Sequence, residues 1–212
     1  MRLDLHCHTK ERSSCSQVGE EALITRAIQL GLDGVALTDH NRLPPPERLA
    51  ELNRKYHPFR VFTGIEISLE TASESWQDFL VLGLSDSILE TATWTYPKLV
   101  KWVRRNQGWL VMAHPFRYRR GMPREVIDDP PDALEMYSTN IDPASAPRIE
   151  AAARAMGCQV IGTSDAHLAE EVGYYTLVLA QPAASEAELL VQLKKGAFQI
   201  RKRERRGFAQ DG

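Results

Sequence analysis

Short apolar runs and amphipathic segments alternate along this chain from one end to the other, and several of the apolar runs stop at residues able to bind a metal. Residues 1–8, Met-Arg-Leu-Asp-Leu-His-Cys-His, read as a strand in which Leu3 and Leu5 alternate with Asp4 and His6. Side chains two apart share a face, so His6 and His8 project together and Cys7 projects the other way, into a core. A polar stretch leads to a helix over Glu20 to Leu30 closed by Gly31, and Gly34 to Thr38 is a buried strand ending at Asp39-His40. Pro46 to Lys55 is helical with proline near its start, Val61 to Ile67 is a strand carrying Glu66, and Phe79 to Leu84 is a further apolar run. A helix over Tyr96 to Asn106 precedes the strand Trp109 to Ala113, which delivers His114-Pro115. Ala133 to Tyr137 is a strand, Ala144 to Met156 a helix capped by Gly157, and Gln159 to Thr163 a strand that delivers Ser164-Asp165-Ala166-His167. Tyr175 to Leu179 is one more strand, and Glu186 to Lys195 the last helix, closed by Gly196.

Strands alternating with helices imply an α/β fold with a largely parallel sheet, and this number of units favours a closed barrel over an open sheet. With 212 residues and no Gly/Ser/Pro-rich linker, the chain reads as one domain over residues 1–200, followed by a basic tail over 201–212. In such barrels chemistry gathers at the C-terminal ends of the strands. His6, His8, Asp39, His40, Glu66, His114, Asp165 and His167 all fall at strand ends; of the six histidines only His57 does not.

Each of these residues has an ordinary alternative: Asp39 and Asp165 as caps, Glu66 at a surface, His114 as a turn residue before Pro115. Together they do not, because closure brings the strand ends close, and several imidazoles and carboxylates share such a space only around cations. Mixed nitrogen and oxygen donors suit Zn, Mn or Fe better than Ca or Mg, and more than one ion is expected.

The motifs Asp-Leu-His-Cys-His-Thr at 4–9, Thr-Asp-His-Asn at 38–41, Gly-Ile-Glu-Ile at 64–67, Ala-His-Pro-Phe at 113–116 and Ser-Asp-Ala-His at 164–167 resemble, in order and spacing, those of the polymerase and histidinol phosphatase (PHP) family. The resemblance runs from residue 1 to about residue 200. It implies a distorted TIM-like barrel of seven strand-helix units with two or three divalent metals at its mouth. Carried over by motif, His6, His8, Glu66 and Asp165 would hold one ion, Glu66 would bridge to a second that takes His114, and His40 and His167 would face the remaining position. Two positions depart from the pattern. The family places a histidine or aspartate just after the first His-x-His, where this chain has Cys15, a thiol that can bind zinc or simply pack. Many members also carry a histidine on the strand after Gly-Ile-Glu; Leu80 stands there, and Asp78, on the same face, is its candidate substitute. A two-metal centre is the resulting expectation, with a third position left open; Cys15, Asp39 and Asp78 are its additional candidate ligands.

The resemblance implies a stand-alone metal-dependent phosphoesterase acting on a small phosphorylated metabolite or nucleotide, in which two metals would acidify water and brace the phosphoryl group. Arg117, three residues past His114, is a candidate bidentate partner for phosphate, with Arg119, Arg120 and Lys10 as weaker ones. His40 or His167 can protonate the leaving group when not itself bound to metal. A histidinol-phosphatase-like monoesterase is the alternative within this class, and a non-catalytic accessory metal-binding module the alternative outside it. A net charge of −2 gives no global attraction to nucleic acid or membranes, and the run Arg201 to Arg206 reads as a solvated terminus. Three widely spaced cysteines and no apolar signal segment before the first strand point to a reducing cytoplasm; the sequence leaves the oligomeric state open.

Overall fold

The structure, a computed structural model, describes residues 1–70, 76–117 and 120–203. Its elements are β1 (Arg2–Cys7), α1 (Glu20–Gln29), β2 (Gly34–Leu37), α2 (Pro46–Lys55), β3 (Arg60–Glu70), β4 (Trp76–Leu82), α3 (Ile88–Thr91), α4 (Tyr96–Arg105), β5 (Trp109–Met112), α5 (Arg124–Asp128), β6 (Ala133–Tyr137), α6 (Ala146–Met156), β7 (Gln159–Gly162), β8 (Tyr175–Leu179), α7 (Glu186–Lys194) and β9 (Phe198–Lys202). The helices begin and end where local chemistry dictates. Ser185 caps α7 by accepting from the Glu188 amide, and Gly157 closes α6 in a left-handed conformation at φ 71°. Among the described residues no helix is long and apolar enough to cross a membrane.

All nine strands form one sheet in the order β7-β6-β5-β4-β3-β2-β1-β8-β9. The expected parallel pairing holds within β1-β2-β3 and within β5-β6-β7, but β4 runs antiparallel to both its neighbours. Five residues separate Glu70 from Trp76, too few for the crossover that parallel strands require. The sheet curls until its ends nearly meet. Past β7 the chain bridges to β1: His8 donates its amide to the Ala166 carbonyl at 3.0 Å, and Ala166 donates to the His6 carbonyl at 3.2 Å. On the same side β7 lies so close to β9 that a Cβ added at Gly162 would fall 2.5 Å from Ile200.

Two residues of the expected tail, Arg201 and Lys202, belong to β9, paired with Thr176 and Tyr175 of β8. Phe198 and Ile200 pack on the barrel interior from the same strand, which supplies the reason the basic run is ordered there. The remainder of the run, from residue 204 on, lies outside the described residues.

The barrel interior is filled by Leu3 and Leu5 of β1, Leu80 and Leu82 of β4, Trp109 and Val111 of β5, and Ile161 of β7, among others. Outer layers pack beneath α4 and α6, and beneath α1 and α2. This alternation decides where polar residues go. Counting by twos from the interior positions leads from Ala36 to His40, from Phe62 to Glu66, from Ala133 to Glu135 and from Ile161 to Asp165, so each strand's inward row turns polar at the mouth. In β1 the same count from Leu3 and Leu5 would send Cys7 inward. A register shift between Asp4 and Cys7 resets it: Cys7 packs in the outer layer with Leu23 and Val35, and His6 and His8 turn into the mouth.

Candidate metal centre

His6, His8, Glu66, His114 and Asp165 converge as a buried group, each at most 2% exposed. His6 Nε2 lies 3.0 Å from His8 Nε2, 3.4 Å from Glu66 Oε1 and 3.3 Å from Asp165 Oδ1. His8 Nε2 is 3.2 Å from Glu66 Oε2 and 3.3 Å from Asp165 Oδ1. Glu66 also meets His114 Nε2 at 3.1 Å and His40 Nδ1 at 3.0 Å, so its carboxylate touches four imidazoles. His40 and His167 stand further out, their rings 4.5 and 4.3 Å from that of His8. His114 and Asp165 both adopt left-handed backbone, at φ 28° and 52°; such strain persists where surrounding contacts over-determine it, as at functional sites.

Donor atoms within 4.8 Å of one another fall into three overlapping groups: His6, His8 and Glu66; Glu66, Asp78 and His114; His8, His40 and His167. Glu66 Oε2 is buried close to His8 Nε2 and His40 Nδ1, with neither aligned as a hydrogen-bond donor to it. A buried carboxylate whose two oxygens each face two imidazole nitrogens fits divalent cations, whose charge satisfies all of them at once.

Charges within the group perturb one another strongly. Burial works against a charged His6, but Asp165, Glu66 and Glu135 outweigh it and hold the imidazole well above its ordinary value. His8 is raised to about 9: burial opposes its charge, and hydrogen bonds to Asp165 and Glu66 prevail. Burial would raise Glu66 and Asp165, yet the neighbouring histidines hold both carboxyls below their ordinary range. His40 and His167 are lowered, first by burial, and are therefore neutral near pH 7. In effect protons sit where cations would, and metal uptake must displace them.

A further ring of residues orients this set. Ser13 Oγ meets His8 Nδ1 at 3.3 Å and donates to Asp39 Oδ1 at 2.7 Å. Asp39, a candidate ligand by sequence, is instead consumed by the Thr9 amide and hydroxyl, Ser13 and Arg12, with contacts of 2.6 to 2.9 Å. Its four donors leave no lone pair directed into the centre; it anchors the segment after β1. Asp165 Oδ2 accepts from Asn140 Nδ2 at 2.8 Å, and Asp4 fixes the preceding turn by accepting from the Ser164 and Gly173 amides at 2.9 and 2.8 Å.

The other candidates sort by position. Asp78 is buried with Oδ2 3.6 Å from His114 Nε2, inside the donor group that Leu80, deep in the barrel interior, cannot join. A cavity of about 450 Å³ opens over the centre; Cys15 and Arg117 line it together with His40, Asp78, Asp165 and His167. Lys10 and Arg120 are exposed and do not line it; Arg119 lies outside the described residues. Sequence reasoning left Glu135 out of the ligand set and missed Asn140. Glu135 carried a readable signal, a carboxylate between Leu134 and Met136 on an apolar strand, whereas Asn140 carried none.

A nearly closed α/β barrel that collects imidazoles and carboxylates in one buried ring at its mouth is a metal-binding barrel by construction. Residues 146–198 match the family model described as PHP-associated. A 48-residue segment is 44% identical to the error-prone DNA polymerase of Cutibacterium acnes, covering 23% of this chain and only 4% of that polymerase. By fold, the chain is similar to a two-domain protein of Bacteroides vulgatus described as containing a predicted PHP-like metal-dependent phosphoesterase (TM-score 0.74, 15% identity, 95% of this chain), of which it spans 64%. It is also similar to PsfC of Pseudomonas syringae (TM-score 0.68, 16% identity, 95% of this chain and 91% of that one). A third similar structure is an amidohydrolase of Chromobacterium violaceum with bound sulfate and no metal (TM-score 0.67, 17% identity, 94% and 97% of the two chains). The chain thus matches a PHP-associated model over residues 146–198 and shares the fold of a protein described as PHP-like.

Proposed function

We propose that this chain is a metal-dependent phosphoesterase that hydrolyses a small phosphorylated metabolite or nucleotide with two or three divalent ions, Mn, Zn or Fe. The observation that carries the reading is Glu66: one buried carboxylate facing His6, His8, His40 and His114, with one oxygen held close to two imidazole nitrogens without an aligned hydrogen bond. His6, His8, Glu66 and Asp165 would hold one ion, Glu66, Asp78 and His114 a second, and His40 and His167 beside His8 a third. Bound there, the ions supply Lewis acidity, polarising a phosphoryl oxygen and making water nucleophilic near neutral pH. The protein's own residues do the rest. Arg117, at the cavity wall, is placed to take a phosphate oxygen in a bidentate contact. The buried walls exclude water from all sides but the opening. His40 and His167, neutral near pH 7 and half-exposed at the rim, can each accept or release a proton there when free of metal.

The test is metal content of protein purified without chelator, alongside hydrolysis of p-nitrophenyl phosphate, bis-p-nitrophenyl phosphate, histidinol phosphate and a nucleotide panel with added Mn or Zn. Two or more ions per chain, with turnover lost in His8→Ala and Asp165→Asn, support the phosphoesterase reading. One ion or none, and no turnover on any ester, would refute it. That outcome would favour an accessory metal-binding module, a reading to which the segment shared with a DNA polymerase lends support.

A further inference from the structure

Glu135 of β6 is fully buried and belongs to none of the donor groups of the proposed centre, yet it touches two of their members. Its Oε1 accepts from His6 Nδ1 at 2.9 Å and from the Thr163 hydroxyl. Its Oε2 accepts from the backbone amide of His114 at 2.8 Å. The first contact selects a tautomer: with Nδ1–H committed to a carboxylate, His6 keeps the lone pair of Nε2, the nitrogen facing His8, Glu66 and Asp165. The second contact pins His114 in its left-handed backbone at φ 28°, which turns the ring toward Glu66 and Asp78. His6 and His114 belong to different donor groups that share only Glu66.

We propose that Glu135 is a positioning residue that couples the two metal positions on either side of Glu66, through the tautomer of His6 and the backbone of His114. The inference rests on the metal centre proposed above and adds to it a residue that binds no ion. Its chemistry explains why a carboxylate is needed. Three donors converge on the side chain, and a glutamine has one oxygen to offer them. Either the amide oxygen serves His6 and Thr163, leaving the amide NH2 against the His114 N–H, or the oxygen serves His114 and the NH2 faces His6. The second arrangement drives His6 to carry its proton on Nε2 and removes that nitrogen as a ligand. Both arrangements disable one position, and through the shared Glu66 they weaken the other.

The experiment is zinc binding to the full chain by competition with a chromogenic chelator, for wild type, Glu135→Gln and Ser13→Ala, with urea unfolding in EDTA as the fold control. Glu135→Gln is expected to weaken zinc at two positions by about 10- to 100-fold, the usual cost of losing a partner of a metal-bound histidine. Ser13→Ala, which touches His8 alone among the ligand side chains, is expected to leave the His114 position at wild-type affinity. Glu135→Gln that folds and binds all its zinc within twofold of wild type would overturn the proposal. If that variant does not fold, long-range ¹H–¹⁵N correlation on zinc-loaded wild type decides: a proton on His6 Nδ1 supports the proposal, and one on Nε2 overturns it. A wild type that takes up no metal overturns the metal centre itself and this proposal with it; metal uptake indifferent to Glu135 overturns only the coupling.

Discussion

Replacing Glu186 by glutamine should stabilise the protein above neutral pH and do almost nothing at pH 4.5. Glu186 opens α7 and accepts from the Thr63 amide through Oε1 at 2.7 Å, while its Oε2 is buried without a partner among the described residues. Burial, only partly offset by the Thr63 bond, pushes the carboxyl from the ordinary 4.5 up to about 7. A raised carboxyl binds its proton more tightly in the folded chain than in the unfolded one. Stability is therefore unaffected below pH 4.5, falls as pH rises from 4.5 to about 7, and carries the whole penalty above that. The difference converts to roughly 3 kcal/mol, and the positive end of the α7 dipole, which favours the ionised form, reduces it to about 2. Glutamine keeps the acceptor for Thr63 and cannot ionise. Urea unfolding followed by circular dichroism in EDTA, at pH 4.5, 6, 7 and 8, measures the gap between the two proteins. It should open from near zero to about 2 kcal/mol, or roughly 4–8 °C in Tm for a chain of this size. A gap that is the same at every pH, or a variant less stable than wild type at pH 8, would refute the reasoning.

Three further outcomes are expected. Asp39→Asn places an amide NH2 against two of four donors and removes the charge paired with Arg12; it should cost about 2–4 kcal/mol in urea unfolding with EDTA present. Asp78→Ala should lower the number of zinc ions per chain by one, counted by native mass spectrometry, because it empties the donor group of Glu66 and His114 of its third member. Gly34→Ala puts a methyl 2.5 Å from the Arg60 carbonyl and 2.9 Å from Leu3 Cδ2; the forced shift between β2 and β3 should lower stability by about 2 kcal/mol or more, seen as a reduced urea midpoint.

The barrel was legible because its two periodicities are clean. Helical runs such as Tyr96–Arg105 and four-residue strands such as Gly34–Leu37 leave little room for other assignments. Candidate ligands were legible because histidine is rare here and recurs at strand ends. What could not be read is set by contacts distant in sequence. The reversal of β4 depends on pairing with β3 and β5, while Phe79 to Leu84 looks like any buried run. The inward turn of His6 depends on a register shift in β1 that simple alternation does not contain. Asp39 read as a candidate ligand because it falls at a strand end, and only the folded loop shows four donors claiming it. β9 was obscured by charge: Arg201 and Lys202 extend a strand with only two apolar residues, the partly buried Phe198 and Ile200.

The bridge from Ala166 to β1 also bears on timing. Asp4 holds the Ser164 amide across 160 positions of sequence, and His8 holds Ala166 in the same seam. During synthesis His6 and His8 emerge about 160 residues before Asp165 and His167 can join them. At the usual 5–20 residues per second, that wait is on the order of ten to thirty seconds. Contacts of such long range form late in folding. A complete centre is thus a product of finished folding, and a growing chain exposes isolated histidines in place of a closed trap for metal.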